Sequence, residues 1–343
     1  MNCTPRGFKF GKLCCLVLML GLLPPLARAQ SAATLAGTAS MGSSPWPSSA
    51  IHLVVPFQAG GSTDMLARSL ARELATQLSQ PVLVDNKPGA NATLGAAFVA
   101  NAPPDGLTWL LVQAGYASNL SQSKAPGRDN SPKLSPVSLL ASGPLVLTVN
   151  ADFPVKTVQE LLSLARGHPG EINFGSAGTG SLPHLASELI NLMAGTRMTH
   201  IPYKGSAQAL SDVLSGQVPV YTMNLVLSLP YLKSGRLRAL AVTSSKRSVI
   251  APEIPTLAES GLVGYDMSTW YGLLVSEATS KDLVLKINHA LSDALKSPDI
   301  SDKLSSEGMA VVASTPLEFQ VFLSKESLKF AKIIQSAGIR MTP

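Results

Sequence analysis

Cysteine is nearly absent: the chain's three, Cys3, Cys14 and Cys15, all fall within its first fifteen residues. Removal of that segment would exclude disulfides, thiolate metal sites and cysteine nucleophiles together. Long apolar runs are missing as well. Beyond Leu26 none approaches the ~18 residues that mark a membrane helix. The histidines, His52, His168, His184, His200 and His289, show neither HxxxH nor HExxH spacing, and no cysteine is left to complete a set. No metal site and no cofactor is expected.

The first 29 residues read as an export signal. Arg6, Lys9 and Lys12 precede an uncharged apolar run over residues 13–26, and Ala27, Arg28 and Ala29 form an A-x-A cleavage site. The run holds Pro24 and Pro25 and falls short of the roughly 20 residues that span a bilayer, so a cleaved signal peptide and a periplasmic location are expected. A lipid anchor would need a cysteine at the cleavage point, and Cys14 and Cys15 sit at the start of the run instead. Residues 1–29 carry four bases and no acid, so the formal charge of +6 becomes +2 without them, 23 bases against 21 acids. That balance gives no reason to expect a nucleic-acid partner or a polybasic membrane surface. About 314 remaining residues suffice to bury cores without disulfides and suggest two domains.

Residues 30–48 are rich in Ser, Ala, Gly and Pro, without charge or period, and are expected to be a disordered linker. From Ile51 onward, short apolar strands alternate with amphipathic helices. A buried strand at 51–57 is followed by Leu66, Leu70, Leu74 and Leu78, whose spacing is a helix period. Further strands are expected near 82–85, 108–113, 137–141, 145–149, 172–175, 200–203, 218–222, 238–242 and 269–275. Helices are expected at 93–100, 182–194, 206–215 and 281–295, and a polar surface loop at 121–135. Three Thr/Glu pairs spaced as capping boxes, Thr157 with Glu160, Thr256 with Glu259 and Thr315 with Glu318, predict helix starts, the last with Pro316 at the first helical position. This alternation implies an α/β fold with parallel sheets between helices.

Two places join a strand end, a Gly-rich loop and a helix start: Gly60, Gly61, Ser62, Thr63, Asp64, and the run from Gly175 through Ser181 that contains Ser176, Ala177, Gly178, Thr179 and Gly180. Free backbone N–H groups at a helix start make an anion cradle, and glycine lets a ligand come close; the same glycines also serve an ordinary tight turn. In open α/β sheets ligands bind at such strand ends. Neither loop has the Gly-Lys-Ser/Thr of a P-loop or the G-x-S-x-G of a hydrolase elbow. Ser121 and Lys124 form an S-x-x-K without a later Lys-Thr-Gly, a chance match. Asp64 either contacts ligand or offsets the helix dipole. His184 either faces the cleft or buttresses the loop from behind. Lys204 either attracts an anion or is solvated, and Trp270 and Tyr271 either wall the cleft or belong to the core.

Several stretches occur together in order: 53–57 (LVVPF) into Gly60–Asp64, 81–89 (PVLVDNKPG), 104–106 (PDG), 173–185 (NFGSAGTGSLPHL), 201–206 (IPYKGS), 235–244 (GRLRALAVTS) and 269–274 (TWYGLL). In these the chain resembles the solute-binding receptors of tripartite tricarboxylate transporters, the Bug family, across residues 50–340. The resemblance implies a type II periplasmic-binding-protein fold, two α/β lobes with a ligand cleft between them. Lobe one would comprise residues 50–146 and 266–343, and lobe two 147–265. It implies a small carboxylate ligand, capture for membrane permease subunits of the transporter, and a monomer without catalytic residues. Gly60, Gly61, Ser62, Thr63 and Asp64 would bind from lobe one, and Ser176, Ala177, Gly178, Thr179, Ser181 and Asn224 from lobe two. The sequence departs from the family pattern at Gln58 and Ala59, in 91–95 (NATLG), after Gln113, and at Pro219, where an acid is usual. A receptor feeding a sensor kinase is the alternative partner arrangement, and an exported hydrolase the alternative class. If the export signal is read correctly, intact-mass analysis of the mature protein places its N-terminus at or near Gln30 and thiol titration finds no free thiol; full-length, thiol-reactive protein in the membrane fraction would contradict this.

Overall fold

The computed structural model describes residues 46–89, 92–123 and 131–339. The expected signal peptide (1–29), most of the expected linker, and Lys124 lie outside the described residues. The linker's end is not loose: Trp46 packs on the core beside Gly106, whose positive φ of 74° turns the chain into the third strand.

Two sheets share one strand. In the first, β1 (Ile51–Val55) lies between β2 (Val82–Asn86) and β3 (Thr108–Gln113), parallel to both. On the far side of β3, β9 (Ser268–Ser276) runs antiparallel, and β4 (Leu134–Asn150) runs antiparallel to β9. A two-residue strand, β10 (Ala310–Val311), adds to β4. In the second sheet β5 (Asn173–Ser176) lies between β6 (Thr199–Pro202) and β7 (Val220–Asn224), parallel to both. The later part of β4 pairs antiparallel with β7 and with β8 (Leu237–Val242).

The two strands expected at 137–141 and 145–149 are thus one strand of 17 residues. Ser142, Gly143 and Pro144 stay extended because they still face Trp270, Thr269 and Ser268 of β9, and partners change at Leu145, which faces Asn224. Gly143 is required there, since a Cβ would stand 2.6 Å from the Gly308 carbonyl oxygen.

Helices cover both sheets. α1 (Ser62–Leu78), α8 (Lys281–Ala294) and α9 (Pro298–Ser306) bury Leu66, Leu70, Ile287 and Ile300 against one face of the first sheet. The other face carries α2 (Thr93–Ala100), α3 (Gly115–Ser123) and α10 (Pro316–Ser336). The same core continues under α4 (Val158–Gly167) and α5 (Leu182–Ala194) of the second sheet. α6 (Ser206–Leu214) and α7 (Leu225–Lys233) pack on that sheet's opposite face.

Two expectations need correction, and one helix, α7, was not foreseen. Residues 121–123 close helix α3 rather than open a loop, because buried Ala117 and Leu120 pack it onto the core. Helix α7 hides Pro230 within a nearly continuous apolar run and starts on the Asn224 cap. At Thr256 both capping-box bonds form, Thr256 N–H to Glu259 Oε2 at 2.7 Å and Glu259 N–H to Thr256 Oγ1 at 2.9 Å, yet only one turn follows. Gly261, at φ 102°, ends it.

The loop between β1 and α1 is braced from within. Asp64 is 2% exposed, and its carboxylate accepts from the Gly60 N–H (2.9 Å), Arg68 Nε (3.0 Å) and Asn86 Nδ2 (3.0 Å). The Arg68 hydrogen bond, with those of Gly60 and Asn86, outweighs the cost of burial and holds the Asp64 pKa at about 2. A carboxyl with a depressed folded-state pKa stabilises the fold fully above its unfolded value and stops doing so as pH falls through the folded one. Asp64→Asn is therefore expected to cost on the order of 2 kcal/mol at neutral pH. In urea unfolding the difference between wild type and variant should shrink as pH falls from about 4 toward 2, and an undiminished difference at the lower pH would contradict the brace.

Candidate functional site

Two cavities of about 380 and 600 Å³ adjoin between the sheets and share Gln113, Leu182 and Thr269. Five helices begin in their walls: Ser62 opens α1, Gly115 opens α3, Leu182 opens α5, Ser206 opens α6, and Asn224 caps α7. Among the described residues, no Asp, Glu, His, Lys or Arg lines either cavity.

Three helix starts at this cleft are left open. The N-cap residues of α1, α5 and α6 are Gly61, Ser181 and Gly205, and none makes a side-chain cap bond. Away from the cleft, α4, α8 and α10 are closed by Thr157, Ser280 and Thr315, although α2 and α9 start without a side-chain cap. Uncapped N–H groups and the positive end of the helix dipole are the groups that receive an anion.

The Gly-rich loop of the first sheet divides into a front and a back. Gly60 and Gly61 are exposed, and Ser62 stands in the cavity wall. Thr63 and Asp64 are buried behind it, at 3% and 2% exposure. Asp64 is thereby corrected from ligand contact to brace, because its oxygens are occupied by Gly60, Arg68 and Asn86. Thr63 Oγ1 donates to Gln113 Oε1 at 3.4 Å, which leaves the Gln113 Nε2 donors for the cavities that Gln113 lines.

In the second loop Ala177, Gly178, Thr179, Gly180 and Ser181 line the smaller cavity. Among the described residues the buried Ser181 Oγ has no hydrogen-bond partner. Ser176 is corrected: it is fully buried, and its hydroxyl is spent on Gly178 N–H and O (both 3.0 Å) and on His200 Nε2 (2.6 Å). Behind it His184 takes the buttressing role. Its Nδ1 accepts from Gly180 N–H at 2.9 Å, and its ring stacks on His200 with centroids 3.6 Å apart, Phe174 lying beyond. Burial, with adjacent His184 adding to it against the pull of Glu188, lowers the His200 pKa to about 4. The Ser176–His200 pair therefore lacks the traits of a nucleophile and base: the hydroxyl is sealed from the cavity, and among the described residues no carboxylate hydrogen-bonds the other ring nitrogen.

Asn224 lines the larger cavity, but its Oδ1 caps α7 by accepting from Val226 N–H (2.9 Å) and Leu227 N–H (3.3 Å), so only the NH2 remains for a ligand. Lys204 is exposed and lines neither cavity. Trp270 belongs to the core, edge-on to Phe319 and Phe322. Tyr271 is buried too, its hydroxyl 3.5 Å from Glu307 Oε2 and its pKa pushed up to about 12 by burial.

Gln113, Gly115, Ser206, Tyr221 and Thr269 join the wall without having been foreseen. Gln113 carried a signal, as the polar end of an apolar strand. Thr269 carried none: β9 is antiparallel to β3, so its beginning rather than its end reaches the cleft. Tyr221 reads as core in the sequence and is fully buried, although it stands in the wall of the larger cavity.

The profile of the family described as "Tripartite tricarboxylate transporter family receptor" matches residues 66–339. Protein BugT of Bordetella pertussis (strain Tohama I) is 33% identical over 311 residues, 90% of this chain and 95% of that protein. The solved structure of R. palustris Rpa4515 with adipate is 34% identical, with a TM-score of 0.69 over 86% of this chain and 99% of that one. MatC from Rhodopseudomonas palustris, with bound malate, is 31% identical, with a TM-score of 0.66 over 84% of this chain and 99% of that one. The fold is that of the periplasmic binding proteins, two α/β lobes about a cleft, and the chain belongs to the tripartite tricarboxylate transporter receptor family.

Proposed function

We propose that the cleft captures the carboxylate of a small organic acid in the periplasm and that the closed receptor presents it to the permease subunits of a tripartite tricarboxylate transporter. The observation that carries this reading is a cleft wall with no charged side chain among its described residues, into which the uncapped starts of α1, α5 and α6 project. Such a wall binds an anion through oriented N–H groups and hydroxyls, with no counter-ion to bring out of water. The adipate and malate held by two relatives agree with it. Gly60, Gly61 and Ser62 serve from one side; Ala177, Gly178, Thr179, Ser181 and the Asn224 NH2 serve from the other. The lobes divide as 50–146 with 266–343, and 147–265, which the exchange of β4 partners at Leu145 supports.

A binder of the folded, closed state adds about 2.7 kcal/mol of stability at a hundred times its dissociation constant. Organic acids are thus expected to raise the melting temperature, unchanged chemically, and turnover or a response confined to sugars or metals would contradict the proposal. Charge placed in the loop should repel them. Gly61 suits that test, with φ −77° and the nearest atom to a new Cβ 3.8 Å away, whereas Gly178 has φ 125° and would press its Cβ to 3.2 Å from the Tyr203 carbonyl. Calorimetry is expected to show Gly61→Asp weakening acid binding at least tenfold and Lys204→Ala changing it little, with modest dependence on salt. The reverse pattern would replace the N–H cradle with a lysine salt bridge.

A further inference from the structure

Resting on the two lobes proposed above, we infer that Thr243 is the pin of the hinge between them. It acts as a positioning residue: it keeps the two crossings of the chain together while the lobes turn, so that the helix starts of both lobes converge on one anion.

The chain passes between the lobes twice. The first crossing is at Leu145, where β4 leaves β9 for β7. The second is at Asp266 and Met267, just before β9 begins at Ser268. The crossings lie side by side, because Pro144 is paired with Ser268. Thr243 follows the last residue of β8 and bonds to both crossings. Its N–H donates to the Leu145 carbonyl (3.0 Å), and its hydroxyl both donates to that carbonyl (3.1 Å) and accepts from the Leu145 N–H (2.9 Å). Its own carbonyl accepts from the Met267 N–H at 2.8 Å. Thr243 and Met267 are fully buried, and Leu145 is nearly so.

Buried polar groups have no water to turn to, so a joint at this place must keep its bonds as it bends. A hydroxyl carries one rotatable donor and two acceptor sites, and it can follow a residue that it both donates to and accepts from. A hinge absorbs its change of φ and ψ in a few residues. Around the second crossing the chain is tied to opposite lobes. The buried Tyr265 hydroxyl donates to the Ala186 carbonyl of α5 at 2.8 Å, on the side of lobe two. One residue later, Lys329 of α10 in lobe one donates from the end of its flexible stem to the Asp266 carbonyl at 2.7 Å. The turn between lobes is thereby confined to Leu145 on one crossing and to Asp266 and Met267 on the other, with Thr243 joining them.

The test uses spin labels on the mature receptor, since Cys3, Cys14 and Cys15 leave with the expected signal peptide. Labels at Lys204→Cys and Lys286→Cys, exposed positions in lobe two and lobe one, report the inter-lobe distance by pulsed electron spin resonance. Thr243→Val removes the hydroxyl and keeps the shape. It is expected to at least double the width of the ligand-free distance distribution, and Thr243→Ser to restore it. In calorimetry with adipate, malate and benzoate, any acid that binds wild type is expected to bind Thr243→Val at least tenfold more weakly and Thr243→Ser about equally. In wild type the Leu145 and Met267 amides should exchange hydrogen as slowly as those of the core strands, with and without acid, which decides the matter should Thr243→Val not fold. A Thr243→Val protein that melts lower but keeps the wild-type width and affinity has lost only structure, and overturns the pin. Fast exchange at either amide, or a Thr243→Ser protein as broad as Thr243→Val, overturns it too. If no acid binds wild type, the carboxylate reading fails, and the distance distributions still decide the pin.

Discussion

The direction of a backbone N–H is fixed by its secondary structure, and this molecule depends on that fact. A side-chain cation can swing to meet an anion; the first turn of a helix cannot, and must be aimed by the strand that feeds it. The β1–α1, β5–α5 and β6–α6 connections do this by keeping short loops, and by leaving Gly61, Ser181 and Gly205 without a side-chain bond across the helix start. Elsewhere the same chain closes its helices with Thr157, Ser280 and Thr315. Replacing a capping serine or threonine by alanine typically costs about 1 kcal/mol, and by glycine, which stands at the starts of α1 and α6, roughly a few tenths. Left open where α1, α5 and α6 meet the cleft, those donors stay available to an anion.

Aiming also requires the loops to be stiff. One loop is held by a carboxylate, Asp64, reaching back to Gly60 and out to Arg68 and Asn86. The other rests on a stack of Phe174, His200 and His184, whose nitrogens reach Ser176 and Gly180. The two loops use different chemistry for one purpose: polar side chains turned away from the cleft fix backbone turned toward it.

That division explains which parts were legible in the sequence. The strands and most helices follow from period and caps, and the two Gly-rich loops stand out because glycine and hydroxyl residues at a strand end announce exposed backbone. Which hydroxyl faces forward is another matter. Ser176 and Ser181 have the same side chain in the same loop, yet Ser176 is bonded to Gly178 and His200 while Ser181 stands in the cavity wall with its buried hydroxyl unpartnered among the described residues. Thr269 and Tyr221 were hidden for a topological reason, since antiparallel β9 and the shared strand β4 bring to the cleft residues that local pattern assigns to strand interiors. The continuity of β4 was equally invisible, because Gly143-Pro144 reads as a break until β9 is seen lying alongside it.

The absence of Asp, Glu, His, Lys and Arg from the described residues of both cavity walls has an electrical consequence. A receptor that meets its cargo with a titrating histidine or carboxyl takes up protons on capture, which offsets part of the cargo's charge and draws those protons from the buffer. Here an incoming anion would be neither paired nor titrated. The loaded particle would carry the cargo's whole charge as an increment to its own, and its heat of capture would be the same in buffers of different ionisation enthalpy. Loaded and empty forms would therefore separate by charge as well as by shape.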